Sequence, residues 1–380
     1  MIHIHIPALG SHSSEYRRGD TQVIYDDNKK CIVIDGGRSE LKDAMLKYLR
    51  NNGLTHVTVI LTHAHYDHYS GVNGLLDAKG IYVDCIYMPN PADIKKGYPS
   101  GWQALEQIRK KAGRLGHPVY YPAVQAWTDV RVGEIWCRLW RKAYNAADDT
   151  NNETKVNNTS ICAYFPDLQY MTTGDAIRRS GDFIGLIKAS GYPVKWIKIP
   201  HHGNALNKAD SATLKSMGCE FAWYNDVEPN GTIGKTGFTK TGAKNAAANF
   251  TTWSAINAID AVCKDGMLTI VSGSKSKTIT LKASESEQKP SNSEEKPVMV
   301  NYIDLSIKAP EIGLKSTGAA VMVWQAILLS SGIKVSIDGD FGKKTQAATI
   351  EYQTKNPACG TPDGIVGRMT WADGLARLEA

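Results

Sequence analysis

The amino-acid sequence predicts an α/β fold in which two sheets are covered by helices, followed by a small all-α unit. Three observations carry this. Short β-rich runs at residues 31–35, 57–62 and 194–199 each lead into a polar loop that bears glycine or histidine. Between them, segments at 101–113 and 210–217 have helical spacing and end near glycine. The pattern then changes: after a polar tract, an apolar helical stretch, VMVWQAILLSSG, is followed by tight Asp-Gly turns. Periodicity by itself supports α/β with some sheet, and two covered sheets fit the alternation.

Taking the chain in order, Ile2, Ile4 and Ile6 alternate with polar residues and read as a strand rather than a secretory leader, since no basic flank or long apolar run accompanies them. Residues 283–297, ASESEQKPSNSEEKP, contain no aromatic and no β-branched residue. Such a tract cannot bury enough surface to offset its ordering entropy and is expected to be a flexible linker. The expected domains are therefore 1–282, a linker over 283–309, and 310–380. A chain of 380 residues, 42% hydrophobic and 22% charged, has room for these units. No apolar run reaches the roughly 18 residues of a membrane span.

Seven cysteines, at 31, 85, 137, 162, 219, 263 and 359, are odd in number and widely scattered. They are expected to be reduced and buried, not a disulfide framework or a metal site. Lys and Arg outnumber Asp and Glu by 34 to 26 over residues 1–283 and are outnumbered 10 to 12 in the remainder. The N-terminal surplus favours an anionic substrate.

The decisive stretch is THAHYDHYSG, residues 62–71, which follows the apolar run HVTVIL. It sets His63, His65, Asp67 and His68 within six positions. On an extended loop His63 and His65 point the same way, while Asp67 and His68 can turn toward a second centre. That spacing suits two adjacent metals, which in hydrolytic sites sit about 3.5–4 Å apart. Gly174-Asp175 after QYMTT could supply a bridging carboxylate, and His201 and His202 lie just past another strand in IKIPHHGN.

This set of motifs, HxHxDH, then Gly-Asp, then Pro-His-His-Gly, resembles the metallo-β-lactamase superfamily over most of residues 1–282. The resemblance implies an αββα sandwich holding two divalent ions, Zn2+ or Mn2+, through His63, His65, Asp67, His68, Asp175 and the His201/His202 pair. It also implies that Asp35 in IVIDGG braces the histidine loop. Four details are similar to ComEC-like hydrolase domains: Gly19-Asp20, the Asn157-Asn158-Thr159-Ser160 segment, Pro200 to Gly203, and DGMLTIVSG. That likeness implies a phosphodiesterase or nuclease, with Asn158 and Ser160 near the metals as candidate contacts to a phosphoryl oxygen. Asp67 would help orient the attacking hydroxide, and one of His201 and His202 would be a ligand while the other gives a proton or steadies an oxyanion. Many superfamily members place a further histidine between the first cluster and the Gly-Asp; His117 precedes a loop and does not fill that place. Arg178 and Arg179 are candidates for phosphate contacts at the rim.

In the C-terminal part, Val321, Trp324, Gln325 and Leu328 share one helical face. Asp338-Gly339-Asp340-Phe341-Gly342 turns into a helix expected to be capped near Lys344 and Thr345, and Asp363-Gly364 with Thr370-Trp371 repeats the device. Residues 310–377 resemble the three-helix peptidoglycan-binding domain of cell-wall hydrolases. Together these readings give the expectation of a metal-dependent phosphodiesterase that acts on DNA or on a phosphodiester-containing wall polymer and is targeted to peptidoglycan. Alternatives are a phosphocholine-esterase-like wall enzyme and a wall-binding protein with a degenerate metal site. The expected location is the cell wall or outside the cell, with phage-type release accounting for the lack of a visible export signal.

Overall fold

A computed structural model describes residues 1–8, 20–145, 147, 151–177, 179–225, 240–282, 311–356, 359, 361–367, 370–371 and 373–374. The chain divides into two compact units, Met1–Glu287 and Gln288–Ala380. Residues 283–310, which contain the expected linker, lie outside the described residues.

The first unit holds two sheets. One has nine strands, in the order Lys275–Thr280, Met267–Ser272, Ile259–Lys264, Ile2–Ile6, Gln22–Asp26, Cys31–Ile34, His56–Ile60, Tyr82–Tyr87 and Val119–Tyr120. Its first six strands pair antiparallel. From Cys31–Ile34 onward the pairing is parallel. The other sheet has seven strands, in the order Thr251–Ser254, Phe221–Tyr224, Trp196–Lys198, Tyr170–Thr172, Cys162–Phe165, Ile135–Trp140 and Thr128–Val132. Here the first four are parallel and the rest antiparallel.

Side-chain alternation explains the layering. Every residue of Cys31–Ile34 is buried, because the second sheet covers one face of the strand and helices the other. Ile32 and Ile34 pack between the sheets against residues such as Phe221 and Trp223. Cys31 and Val33 face the opposite way, onto the helices Ser39–Asn51, Tyr66–Asp77 and Pro99–Arg114. On the other sheet Ala222 and Tyr224 pack beneath Arg179–Ala189, Lys208–Ser216 and Thr241–Ala247. The result is the expected αββα sandwich. No disulfide is formed among the described residues, and five of the seven cysteines are buried. Among the described residues no helix is long and apolar enough to cross a membrane.

The second unit contains the helices Ala319–Ser330 and Lys343–Lys355, with further helical residues at Thr370, Trp371, Asp373 and Gly374. Val321, Trp324, Gln325 and Leu328 are fully buried, as the helical face requires. One expectation is corrected. The second helix starts at Lys343 after Gly342, with no side-chain cap. Thr345 instead accepts a hydrogen bond from Gln325 Nε2 at 3.2 Å. The arrangement is duplicated: Gln353 Nε2 donates to Asp363 Oδ1, the Ile365 carbonyl and Thr370 Oγ1, as Gln325 does to Asp338 Oδ1, the Asp340 carbonyl and Thr345.

Candidate metal centre

The centre lies where parallel strands end. Asp35 follows Cys31–Ile34, His63 follows His56–Ile60, Asp175 follows Tyr170–Thr172, and His201 and His202 follow Trp196–Lys198. The carboxyl ends of parallel strands are where α/β proteins gather their ligand-binding side chains. The histidine motif is only half an extended loop: Tyr66–Asp77 is helical, so Asp67 and His68 sit in its first turn.

Two glycine positions allow the approach. A Cβ on Gly71 would lie 1.8 Å from the Gly36 carbonyl oxygen, so the Asp35 loop presses directly on the helix that carries His68. Gly174 has φ +54°, and a Cβ there would come within 2.9 Å of Thr62 and 3.0 Å of Ser160. Asp35, His201 and His202 also hold positive φ, of 55°, 50° and 52°. Strain of this kind costs about 1–3 kcal/mol per residue and gathers at functional sites.

Asp35 is the brace the motif implies. Its carboxylate accepts from the Thr62 amide at 2.7 Å and the Thr62 hydroxyl at 2.8 Å, and its Oδ2 is 2.8 Å from His68 Nδ1. That contact orients His68 so that Nε2 faces Asp175 Oδ2, 3.2 Å away. His202 Nε2 lies 3.0 Å from Asp67 Oδ2 and 3.1 Å from Asp175 Oδ2. Potential ligand atoms cluster within 4.8 Å in four groups, among them His63 with His68 and Asp175, and Asp67 with His68 and His202. His65 and His201 fall outside these groups; their rings pack edge-on to His63 at 4.7 Å and tilted to His202 at 5.8 Å.

Electrostatics show how tightly the groups are coupled. Burial pushes His63 well below the usual imidazole range, helped by the neighbouring His68 and His65. Burial would lower His68 too, but Asp175, Asp35 and Asp20 outweigh it and hold it well above that range. Against the same burial, Asp175 and Asp67 raise His202 to about 10. Burial opposes ionisation of Asp67 and Asp175, and the contacts with His202 and His68 overcome it, holding both well below the carboxylate range. His201, by contrast, is lowered to about 4, chiefly by burial.

Among the described residues, His63 Nε2 and His202 Nδ1 are buried without a hydrogen-bond partner. An orphaned buried polar atom costs about 1–3 kcal/mol, which a ligand can recover. Imidazole and carboxylate donors, converging and partly unsatisfied, fit divalent metal ions.

Other residues singled out in the sequence have different places. Asn158 and Ser160 are buried. The Asn158 side-chain Oδ1 accepts from the Ile177 amide at 3.1 Å and the Ser160 hydroxyl from the Asp175 amide at 3.2 Å, so both brace the loop that carries Asp175. Arg179 pairs with Asp182, and Arg178 lies outside the described residues. His117 packs on the Tyr82 ring and joins none of the ligand groups. Asp20 and Lys198, which sequence reasoning did not place in the centre, are both within it. Lys198 is fully buried and ion-paired with Asp20, while its Nζ lies 3.5 Å from Asp175 Oδ1. The available signal was a lysine at an inward position of a buried strand.

A family model for the metallo-β-lactamase superfamily matches residues 17–136. The matched residues all lie within the N-terminal unit, which is similar to that superfamily over this stretch. The hydroxyacylglutathione hydrolase of Hamiltonella defensa subsp. Acyrthosiphon pisum (strain 5AT) is 36% identical over 131 residues, 32% of this chain and 47% of that protein. The chain thus spans about half the length of the curated relative it matches. The metallo-β-lactamase fold protein YhfI from Bacillus subtilis is similar at 14% identity and a TM-score of 0.44, over 67% of this chain and 95% of its own. A diphosphatase of the PhnP family is similar at 12% identity and a TM-score of 0.36, over 59% of this chain and 87% of its own.

Proposed function

We propose that this metallo-β-lactamase-fold hydrolase is a phosphodiesterase whose substrate is an anionic polymer, either DNA or a cell-wall polymer with phosphodiester links, and that its C-terminal unit holds it on peptidoglycan. The observation that carries the choice of bond is the composition of the ligand groups. Among the described residues, the group around His63 contains only His68 and Asp175, with no further histidine. A set with so few histidines would leave coordination positions on an ion that the oxygens of a phosphoryl group could take. The Asn157 to Ser160 and Pro200 to Gly203 segments and the 34-to-26 excess of basic residues over 1–283 support the same reading.

His63, Asp67, His68, Asp175 and His202, with His65 beside the His63 ring, would hold divalent cations, which would supply Lewis acidity and lower the pKa of water. The chain's own residues do the rest. Asp67, on a helical turn facing His202, holds and orients the attacking water. His201, lowered to about 4, is neutral at pH 7 and offers an N–H to the developing oxyanion rather than a proton to the leaving group. Asp35 and Asp20 fix the imidazoles without touching substrate.

A hydrolysis screen of metal-reconstituted protein tests this reading on bis(p-nitrophenyl) phosphate, p-nitrophenyl phosphate, single-stranded DNA, a hydroxyacylglutathione and a β-lactam. Diester cleavage is expected to exceed the others. Turnover of the thioester or the β-lactam with no diester cleavage would refute it. A fragment ending at residue 282 is expected to keep turnover of the small diester and to lose adsorption to purified cell walls.

A further inference from the structure

Strand alternation makes Lys198 an anomaly. In Trp196–Lys198, Trp196 packs between the sheets and Ile197 faces the helices, so Lys198 points with Trp196 into the inter-sheet layer, fully buried. Lysine is almost never wholly buried unless its charge is paired. Here its contacts run to Asp20, to the Gly174 carbonyl at 3.0 Å and to Asp175 Oδ1 at 3.5 Å. Asp20 is itself buried, with Oδ1 3.8 Å from His202 Nδ1 and Oδ2 3.8 Å from His68 Nδ1. Asp175 is divided between the two sides: Oδ1 toward Lys198, Oδ2 toward His68 and His202 at 3.2 and 3.1 Å.

We infer that Lys198 is a positioning residue of the metal centre, a buried cation that turns Asp175 so that Oδ2 faces the ligand histidines and that anchors Asp20 behind His202. This rests on the reading of the centre as a metal site. Charge alone argues the other way, because a cation so near divalent ions repels them and its removal should tighten their binding. A lysine kept there must act through geometry. Residues behind metal ligands orient them, and their loss typically weakens metal binding by about 10–100-fold.

Titration of metal-depleted protein with Co2+, followed by its visible absorption, separates the possibilities. Wild type is expected to take up Co2+ with ligand-field bands of an ordered site. Lys198→Met is expected to bind about 10–100-fold more weakly, with shifted bands. Because that variant leaves Asp20 buried without its counter-ion, the Asp20→Asn, Lys198→Met double variant is titrated beside it. It removes both charges, and the weaker binding and altered bands are expected to persist. Wild-type binding strength and spectrum in the double variant, or tighter binding in Lys198→Met, would overturn the inference while leaving the metal site standing. No Co2+ uptake by wild type would overturn both.

Discussion

The two units of this protein each bury polar side chains in an apolar setting, and they treat them in opposite ways. In the C-terminal unit, Gln325 donates to three acceptors through Nε2 and accepts through Oε1 from the Asp338 and Gly339 amides at 3.1 and 2.9 Å. Gln353 repeats the scheme, accepting from the Gly364 amide at 2.8 Å. Each glutamine closes a turn onto a helix, and its demands are met within the fold. In the N-terminal unit His63 Nε2 and His202 Nδ1 are buried with no hydrogen-bond partner among the described residues, where imidazole and carboxylate atoms converge within 4.8 Å of one another. A satisfied polar network serves the fold, whereas an unsatisfied one is built for something the chain does not itself contain. By this criterion chemistry belongs to the first unit, and the Asp-Gly turns of the second are architecture.

The sharpest separation is expected at Asp67. Asp67→Asn should lower hydrolysis of bis(p-nitrophenyl) phosphate by on the order of 10³-fold or more while leaving the fold intact, since a neutral amide no longer holds the cation or orients water. Circular dichroism beside the rate assay checks both halves, and a modest rate loss would detach Asp67 from the chemistry. Gln325→Ala should do the reverse. It leaves the buried Gly339 amide without its acceptor and should destabilise the second unit by about 3 kcal/mol, read by denaturant unfolding, with turnover of a small substrate unchanged.

A smaller effect follows from pH. His202 sits at about 10 in the metal-free fold, above the usual imidazole value of about 6.5. Its ion pairs therefore stabilise the metal-free protein fully below about 6.5, and that contribution is lost as pH rises through about 10. A metal ion must displace the same proton, so metal binding strengthens over the same range, by about 1.4 kcal/mol per pH unit for each proton displaced. The difference in melting temperature between metal-loaded and metal-free protein should widen from pH 6.5 to 9. A constant or narrowing gap would show that His202 is not a ligand. The smallest effect is expected for His63→Leu, which removes an orphaned Nε2 together with the contact between Nδ1 and the Thr62 hydroxyl, itself also bonded to Asp35. The metal-free protein should be unchanged or gain about 1 kcal/mol in unfolding free energy, whereas Gln325→Ala loses stability. A loss well above the roughly 1 kcal/mol of one hydrogen bond would mean that Nε2 too is satisfied within the chain.

How much could be read in advance depended on distance along the sequence. His63, His65, Asp67 and His68 fall within one strand end and one helical turn, so spacing alone brought them forward as ligands. Asp175 and the histidine pair follow strands and gained meaning from that company. Asp20 and Lys198 meet only because strands far apart in sequence face each other across the sandwich, and neither lies in a motif of ligand type. Asn158 and Ser160 were legible as neighbours of the site; that their oxygens accept from the Ile177 and Asp175 amides depends on how a loop from another strand folds over them. The helical start of Tyr66–Asp77 was hidden for a related reason: no side-chain cap marks it, and His65 stands at the N-cap position.

The central claim is that the buried, partly unsatisfied cluster at the strand ends would hold two divalent ions, with Asp175 among the residues that hold them. Elemental analysis of protein reconstituted with zinc or manganese and freed of excess metal measures this directly, with Asp175→Ala prepared alongside. Two equivalents in the wild type, falling to one or fewer in the variant, is the result the account predicts; less than one equivalent in the wild type, or no change in the variant, would contradict it.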